Sequence, residues 1–498
     1  SEDELVGIIG EYDGLMIRSG TQVTAPVIAA ASRLKIIGRA GVGVDNVDVP
    51  AATQRGVLVV NSPEGNTIAA AEHALAMMLS LSRHVPQANA GMRAGKWDRK
   101  KYVGNELYKK TLGVVGLGKI GSHVAKVAQA MGMDVTAYDP FIAADRAKQM
   151  QVKLIELDEL FRTADYVTLH IPRTKDTENL VNADLLRTMK PTARIVNCAR
   201  GGVVDEAAIS EAINQGVIAG AGLDVYANEP LAEDSPLRAV ERGLVLTPHL
   251  GASTEEAQEN VAIDVAEQIR DVLLGLPARS AVNIPGLSAE IMERLKPHLQ
   301  LAETVGLLVS QLAGGHVKEM ELRLQGEFAS HPSQPLVIAA LKGLLSAALG
   351  DSINFVNASL EAKARGITVL EVKDETSRDF AGGSLQITTR GDQGDRCVTG
   401  AVFADGELRI TSIDEFPVNV SPSRHMLFTR HRDMPGIIGH LGSMMGEHNV
   451  NIASMQVGRK IVRGDAVMVL SIDDPIPAEL LQKITAIDGI QEAHPVTL

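Results

Sequence analysis

The sequence predicts an α/β chain: two doubly wound domains, an α+β domain after them, and a C-terminal ferredoxin-like domain. Three observations carry that prediction. Short apolar runs alternate with helix-like stretches over residues 15–61 and again from Thr111, the pattern of parallel strands joined by crossover helices. A G-x-G-x-x-G loop (Gly116, Gly118, Gly121) connects an apolar run to a helical one. From residue 423 the pattern follows the order β-α-β-β-α-β. A length of 498 residues suits three or four domains at about 100–200 residues each.

The strands of the first series are "LMIRS", "LKIIGRAG" and "VLVVNS". A long helix follows in "TIAAAEHALAMMLSLSRHV", then a basic loop, "MRAGKWDRKKY", that carries the only tryptophan. The second series offers "TLGVVG", "DVTAYD", "YVTLHIP", "ARIVNCA", "IAGAGLDV" and "GLVLTP", enough strands for a dinucleotide-binding sheet. The helix "STEEAQENVAIDVAEQIRDVLLG" opens with Ser253 and Glu256 at capping-box spacing. "LPARSAVNIP" then reads as a linker. Residues 286–422 form a mixed region without a catalytic motif, strand-like and turn-rich in "GSLQITTRGDQGDRCVTGAVFADGELRIT". The last domain reads as strand "HMLFTRH", a helix with Pro435 in its first turn, strands "NIASMQVGR" and "DAVMVLSID", helix "PAELLQKITAI" and a final strand.

Composition excludes several classes. With 45% hydrophobic and 22% charged residues the chain is globular, neither disordered nor fibrous. A net charge of −13 provides no broad basic field for nucleic acid or anionic lipid. Two distant cysteines, Cys198 and Cys397, form no disulfide scaffold and no metal-ligand spacing, and fit a reducing compartment such as the cytoplasm or a plastid. No uninterrupted apolar stretch approaches the roughly 20 residues of a membrane span, and "SEDELVGIIG" is not a signal peptide. Neither a metal nor a nucleic-acid or membrane partner is expected.

The chemistry-bearing residues cluster in the second series. Gly116 and Gly118 allow a tight turn and close approach of a pyrophosphate, whose charge the following helix N-terminus attracts. Asp139 ends the next strand; a carboxylate there accepts both ribose hydroxyls and repels a 2′-phosphate, so NAD is expected rather than NADP. Arg200 follows "IVNCA", Glu229 follows "LDVYAN" and His249 follows "LVLTP", all beyond the carboxyl ends of strands, where open α/β sheets bind ligands. Alone, each reads as a surface arginine, a helix-entry glutamate and a turn histidine. Together they supply a base for a hydroxyl proton, a carboxylate that fixes its tautomer, and a guanidinium that grips a substrate carboxylate. That set describes oxidation of a 2-hydroxy acid.

"GLGKIG", "NCARGGVVDE", "LDVYANEP" and "TPHLGAST" resemble the D-isomer-specific 2-hydroxyacid dehydrogenases. "GRAGVGVDNVD", "GKWDRKKY", the mixed region and the tail extend the resemblance over essentially the whole chain, to a long form with an intervening domain and an ACT domain. It implies two flavodoxin/Rossmann-like domains, with substrate binding in 1–64 and 254–284, NAD binding in 65–253, an intervening allosteric substrate-binding type of domain in 285–422, and a ferredoxin-like ACT regulatory domain in 423–498. It implies that Arg200 binds substrate, that His249 is the acid/base and that Glu229 is its partner. It places Lys119, Ile120, Ile171, Cys198, Ala199, Asp224 and Gly251 around the cofactor beside Gly116, Gly118, Gly121 and Asp139. The implied substrate, 3-phospho-D-glycerate, carries a phosphate, for which Arg18 and Arg39 at first-domain strand ends are the candidate cations. Arg99, in the basic loop, is expected to reach a neighbouring subunit's site.

In the tail, "RHRDMPGIIGHLG" and "HNVNIASMQVGR" resemble the ACT module that binds small amino acids between paired subunits. Asp433 and Asn451 are the expected effector residues and L-serine the expected effector, in a homo-oligomer, dimer or tetramer. The family pattern opens with one further strand and helix ahead of "EYDGLMIRSG", and both are expected to be missing from this sequence, which starts at Ser1. Two other readings stay open: a relative acting on hydroxypyruvate or glyoxylate, and an NAD-sensing, co-repressor-like binding protein.

Overall fold

The computed structural model describes residues 1–285, 289–375 and 383–498. They form two compact units, one of Ser1–Gly38, Asp45–Val60 and Gln268–Leu498, the other of Arg39–Val44 and Asn61–Glu267.

The chain begins with the helix Glu2–Ile8, closed by a capping box from Ser1 to Glu4. A helix therefore does precede "EYDGLMIRSG". Strands β1 (Gly14–Ile17), β2 (Ile36–Arg39) and β3 (Leu58–Asn61) form a sheet in that order, as the first apolar series predicts. Ile36, Leu58 and Val60 are its buried center, packed against Ile269 and Val272 of the helix Glu255–Leu273. That helix starts one residue later than expected: the Thr254 hydroxyl, not Ser253, accepts the Ala257 N–H at 3.1 Å.

The second unit holds a seven-stranded sheet made of β4 (Thr111–Val115), β5 (Asp134–Tyr138), β6 (Lys153–Leu154), β7 (Tyr166–Leu169), β8 (Arg194–Asn197), β9 (Gly220–Leu223) and β10 (Leu244–Leu246). The order is β10-β9-β8-β7-β4-β5-β6, every pair parallel. Six strands are those predicted; β6, two residues at the edge, is the addition. The central strands β4, β7, β8 and β9 are buried on both faces. Along β4, Leu112 and Val114 pack with Ala74, Met78, Val124 and Ala128 of the helices Thr67–Arg83 and Lys119–Ala130. Val115 joins Leu160, Leu186 and Ile209 of three helices on the opposite side. Strand order reverses between β4 and β7, and such a switch point opens a crevice at the carboxyl ends.

In the first unit, the helix Ala289–Ala313 packs with the helix Ser333–Leu349 on a six-stranded sheet. Its strands are β11 (Val317–Gln325), β12 (Thr368–Asp374), β13 (Ser384–Gly391), β14 (Gly394–Val402), β15 (Leu408–Ile413) and β16 (Phe416–Val420), in the order β12-β11-β13-β14-β15-β16. Ser333–Ser352, of mean hydropathy 1.3, is long and apolar enough to cross a membrane by composition, which the sequence reading missed because Lys342 and the serines interrupt it. Leu336, Ala339, Leu341 and Leu344 of this helix lie in the core.

The C-terminal strands β17 (His425–Arg432), β18 (Ile452–Arg459), β19 (Asp465–Ile472) and β20 (Ile490–Thr497) pair antiparallel in the order β18-β19-β17-β20, the expected ferredoxin-like arrangement. The first helix here is Ile437–Glu447, capped by Gly436 in the left-handed region, so Pro435 precedes the helix instead of opening it. Leu427, Met468 and Leu470 face that helix and Ala478–Thr485. Their neighbours Met426, Phe428, Val467 and Val469 point the other way, into the same core as Leu301, Val305 and Leu322. The six-stranded and four-stranded sheets thus share one core. Arg396 rivets them: it donates to the Leu312 carbonyl and to Asp414, and pairs with Glu492 on β20.

Candidate active site

β4 ends at Val115 and runs into Gly116, whose φ of +93° suits glycine alone. A Cβ on Gly121 would lie 2.0 Å from the Gly116 carbonyl oxygen, so only glycine lets the helix Lys119–Ala130 approach the strand this closely. Gly118 is that helix's N-cap, with no side-chain cap and open space where a Cβ would be. The first-turn N–H groups, without a side-chain cap, favour an anion. Lys119 forms an ion pair with Glu64. Ile120 packs onto the core beneath, and Ile171 beside Gly116 packs onto the core of the opposite face.

Asp139 follows β5 as predicted, but its carboxylate is partly committed. Oδ2 accepts the Leu117 N–H at 2.8 Å, and Oδ1 accepts those of Phe141 and Ile142 at 2.9 and 3.1 Å. It ties the glycine loop to its own turn, and of the carboxylate's roughly four acceptor sites one, on Oδ2, is left where two ribose hydroxyls were expected. His170, after β7, bonds the Thr168 hydroxyl at 3.0 Å, and burial pushes its imidazole down to about 4.

Arg200, Glu229 and His249 sit on the loops after β8, β9 and β10, three neighbouring strands. Asn197 shapes the first loop, donating to the Arg200 carbonyl at 2.9 Å and accepting the Ala199 N–H at 3.0 Å. The Arg200 guanidinium donates to the Ala199 carbonyl at 2.7 Å. Glu229 accepts the Tyr226 N–H at 3.0 Å through Oε1 and meets His249 Nδ1 at 2.7 Å through Oε2. His249 has φ +55°, in the left-handed region that non-glycine residues seldom occupy. Its side chain is 49% exposed, so a proton taken there can reach solvent. With Nδ1 held by Glu229, Nε2 is the nitrogen left for a substrate.

Behind this pair lies Asp224, fully buried at the end of β9. Oδ1 accepts the Thr247 hydroxyl at 2.6 Å and the Leu250 N–H at 2.7 Å; Oδ2 accepts the Gly251 N–H at 2.8 Å. His73 Nε2 lies 3.2 Å from Oδ1 and 3.2 Å from the Thr247 hydroxyl. Burial alone would raise the Asp224 carboxyl, but the bonds from His73, Thr247 and Leu250 outweigh it and hold the group below the usual carboxylate range. Burial, with the charge of Asp224, pushes the Cys198 thiol far up, so it stays protonated. Burial likewise pushes the Tyr226 phenol up to about 12.

The remaining predicted residues are scattered. Arg18 is exposed after β1 and belongs to the first compact unit. Arg39, the last residue of β2, belongs to the second and folds back over Gly41, donating to the Ala40 carbonyl at 3.3 Å. Arg99 is exposed on the short 3-10 turn Arg99–Tyr102. Asp433 and Asn451 do not meet within one chain. Asp433 follows β17 and bonds Arg459 at 3.0 Å, whereas Asn451 precedes β18 and bonds Asp473 at 2.7 Å, at the other end of the sheet. The length of an eight-residue strand, about 25 Å, separates the two ends.

Sequence reading passed over His73, Thr247, Asn197 and Tyr226. The signal for His73 was a lone imidazole on an otherwise alanine- and leucine-type helix.

Comparison with known proteins matches residues 75–251 to the D-isomer specific 2-hydroxyacid dehydrogenase, NAD binding domain. Residues 294–414 match the D-3-phosphoglycerate dehydrogenase intervening domain, and 425–489 the ACT domain. A D-3-phosphoglycerate dehydrogenase of Synechocystis sp. is 62% identical over 499 residues, spanning 100% of this chain and 90% of the relative. One from Archaeoglobus fulgidus is 44% identical over 100% of this chain and 94% of its own length. Among solved structures, D-lactate dehydrogenase from Escherichia coli aligns with a TM-score of 0.52 and 29% identity, over 57% of this chain and 89% of that one. D-lactate dehydrogenase from Aquifex aeolicus, complexed with NAD and lactic acid, aligns with a TM-score of 0.50 and 29% identity, over 55% and 86%. The glycine loop and the acid–imidazole pair stand beyond the carboxyl ends of strands in one parallel sheet, and the chain belongs to the D-3-phosphoglycerate dehydrogenase family of D-isomer-specific 2-hydroxyacid dehydrogenases.

Proposed function

We propose that the chain oxidises 3-phospho-D-glycerate to 3-phosphohydroxypyruvate with NAD, the first step of L-serine biosynthesis, in the cytoplasm. The observation that carries this reading is the 2.7 Å contact between His249 Nδ1 and Glu229, beside Arg200 and in the same sheet as the glycine loop. The cofactor supplies the hydride acceptor when bound. Arg200 grips the substrate carboxylate through paired hydrogen bonds and fixes the carbinol carbon. His249 Nε2 takes the hydroxyl proton as the hydride leaves, and the Glu229 carboxylate stabilises the imidazolium that forms. The proton then passes to solvent from the half-exposed ring. The uncapped helix at Gly118, Asp139 and the turn at Gly251 hold the cofactor; Arg18, Arg39 and a neighbouring subunit's Arg99 hold the phosphate.

The domain division is 1–64 with 254–284 for substrate, 65–253 for NAD, 285–422 intervening and 423–498 regulatory. L-serine inhibits through the last domain. The placement of Asp433 and Asn451 at opposite ends of the sheet supports an effector site built between two copies of a homo-oligomer. NADH formation measured with 3-phosphoglycerate, glycerate and lactate tests the reading. Turnover that prefers the phosphorylated acid and falls with added serine supports it. Equal rates without the phosphate favour a hydroxypyruvate or glyoxylate enzyme, and no turnover with any of these acids favours an NAD-sensing binding role. A rate flat into the millimolar range of serine removes the regulatory part.

A further inference from the structure

We propose that His73 is a positioning residue for the acid/base His249, which it holds in place through the Asp224 carboxylate. The inference rests on the dehydrogenase reading above and adds a residue outside the strand-end loops. His73 projects from the helix Thr67–Arg83 between the buried Ala71 and Ala74 and is 19% exposed, while Asp224 is fully buried. A buried carboxylate is costly unless its lone pairs and charge are met. Three of the groups that meet it, the Thr247 hydroxyl and the Leu250 and Gly251 N–H groups, are neutral. Among the described residues, His73 is the ionisable side chain paired with Asp224.

What Asp224 does with those bonds concerns His249. Its backbone carbonyl accepts the His249 N–H at 2.9 Å and its carboxylate accepts the next two. Three consecutive amides, 249 to 251, are thus fastened to one residue. That clamp maintains the left-handed conformation at His249, which is unfavourable for a non-glycine residue. The same conformation aims the ring at Glu229. His73 Nε2 donates to Asp224 Oδ1 and keeps the carboxylate turned so that Oδ2 reaches Gly251. His73, Cys198 and Asp224 offer donor atoms within 4.8 Å of one another, a spacing that would also suit a metal ion. The protonated thiol makes a poor ligand, and Oδ1 already takes Thr247, Leu250 and His73, so the cluster is built as a hydrogen-bonded clamp.

The test compares His73→Gln with His73→Asn in the full chain. The glutamine amide reaches where Nε2 stands and the asparagine amide stops about where Nδ1 stands; both are polar, so gross folding is matched. We expect kcat with 3-phosphoglycerate to fall about tenfold or more in His73→Asn, well beyond any loss of NADH affinity through the Gly251 arm of the clamp, and His73→Gln to stay within about threefold on both counts. Wild-type kcat in His73→Asn overturns the positioning role. So does a His73→Gln loss as deep as that of His73→Asn, or an NADH affinity that weakens in step with kcat. Absence of wild-type turnover on any 2-hydroxy acid overturns the dehydrogenase reading and the positioning role with it; wild-type turnover with an unaffected His73→Asn overturns the positioning role alone.

Discussion

Replacing Glu229 by glutamine isolates charge from shape at the catalytic pair. The side chain keeps its size, and the single amide oxygen of glutamine, turned to His249, can still accept the Nδ1 hydrogen at the expense of the Tyr226 N–H bond, so tautomer and ring orientation survive. What disappears is the attraction between carboxylate and imidazolium, present only once the ring has taken the substrate proton. With Nδ1 and Oε2 2.7 Å apart, the centers of charge lie roughly 4 Å apart, where the Coulomb energy runs from about 1 kcal/mol in water to about 4 kcal/mol near a protein surface. His249 and Glu229 are 49% and 36% exposed, which screens the pair toward the lower end, about 1–2 kcal/mol. Glu229→Gln should therefore lower kcat about 5- to 30-fold while KM for the acid changes little. Glu229→Ala, which also frees the ring, should lose at least a further factor of about ten. Steady-state NADH formation with saturating NAD measures both. A glutamine variant as fast as wild type would show that no charge develops on His249 in the rate-limiting step, and would refute the assignment.

Gly121→Ala places a methyl 2.0 Å from the Gly116 carbonyl oxygen, so NADH affinity by fluorescence titration should weaken at least about tenfold; unchanged affinity would dissociate this loop from the pyrophosphate. Asp139→Ser removes the charge expected to face a 2′-phosphate, and the NADP-to-NAD ratio of kcat/KM should rise about tenfold, with an unmoved ratio counting against that role. His170 is held down to about 4 when folded and titrates near 6.5 when unfolded, so the unfolded chain binds more protons between those values. Stability from this group is complete above pH 6.5 and declines by up to ~3 kcal/mol as pH falls to about 4. Urea unfolding of wild type and His170→Gln should show that slope only in the former; identical slopes would refute the burial effect.

Much of the site was legible because the chemistry dictates residue type and the fold dictates where on a strand it stands. Arg200, Glu229 and His249 are each conspicuous only by following an apolar run, and β8, β9 and β10 prove to be neighbours. Contacts between elements distant in sequence were not legible. His73 meets Asp224 across about 150 residues, and nothing local in "AAAEHALAMM" distinguishes an imidazole turned toward a carboxylate from one turned toward solvent. The opposite placement of Asp433 and Asn451 needed strand register, which follows from pairing in β17 to β19 and not from the motif. One signal was present and unused. In β19, "DAVMVLSI", every residue after the first is buried, and a strand apolar at successive positions is covered on both faces. The chain announced there that its last sheet has a neighbour on the side away from its helices.

That double covering bears on how such a gene can be shortened. Ending translation near residue 422 would remove Met426, Phe428, Val467, Val469 and Val496 from a common interior and strip Arg396 of its Glu492 counterion. The remaining polypeptide would display the flank of the helix Ala289–Ala313 as a bare, sticky surface, with a guanidinium partly stranded at its rim. Loss of the final module alone is therefore expected to destabilise what remains. A shorter chain with a closed interior is expected when both terminal modules are removed together, with the cut between the helix that ends at Leu273 and the one that starts at Ala289.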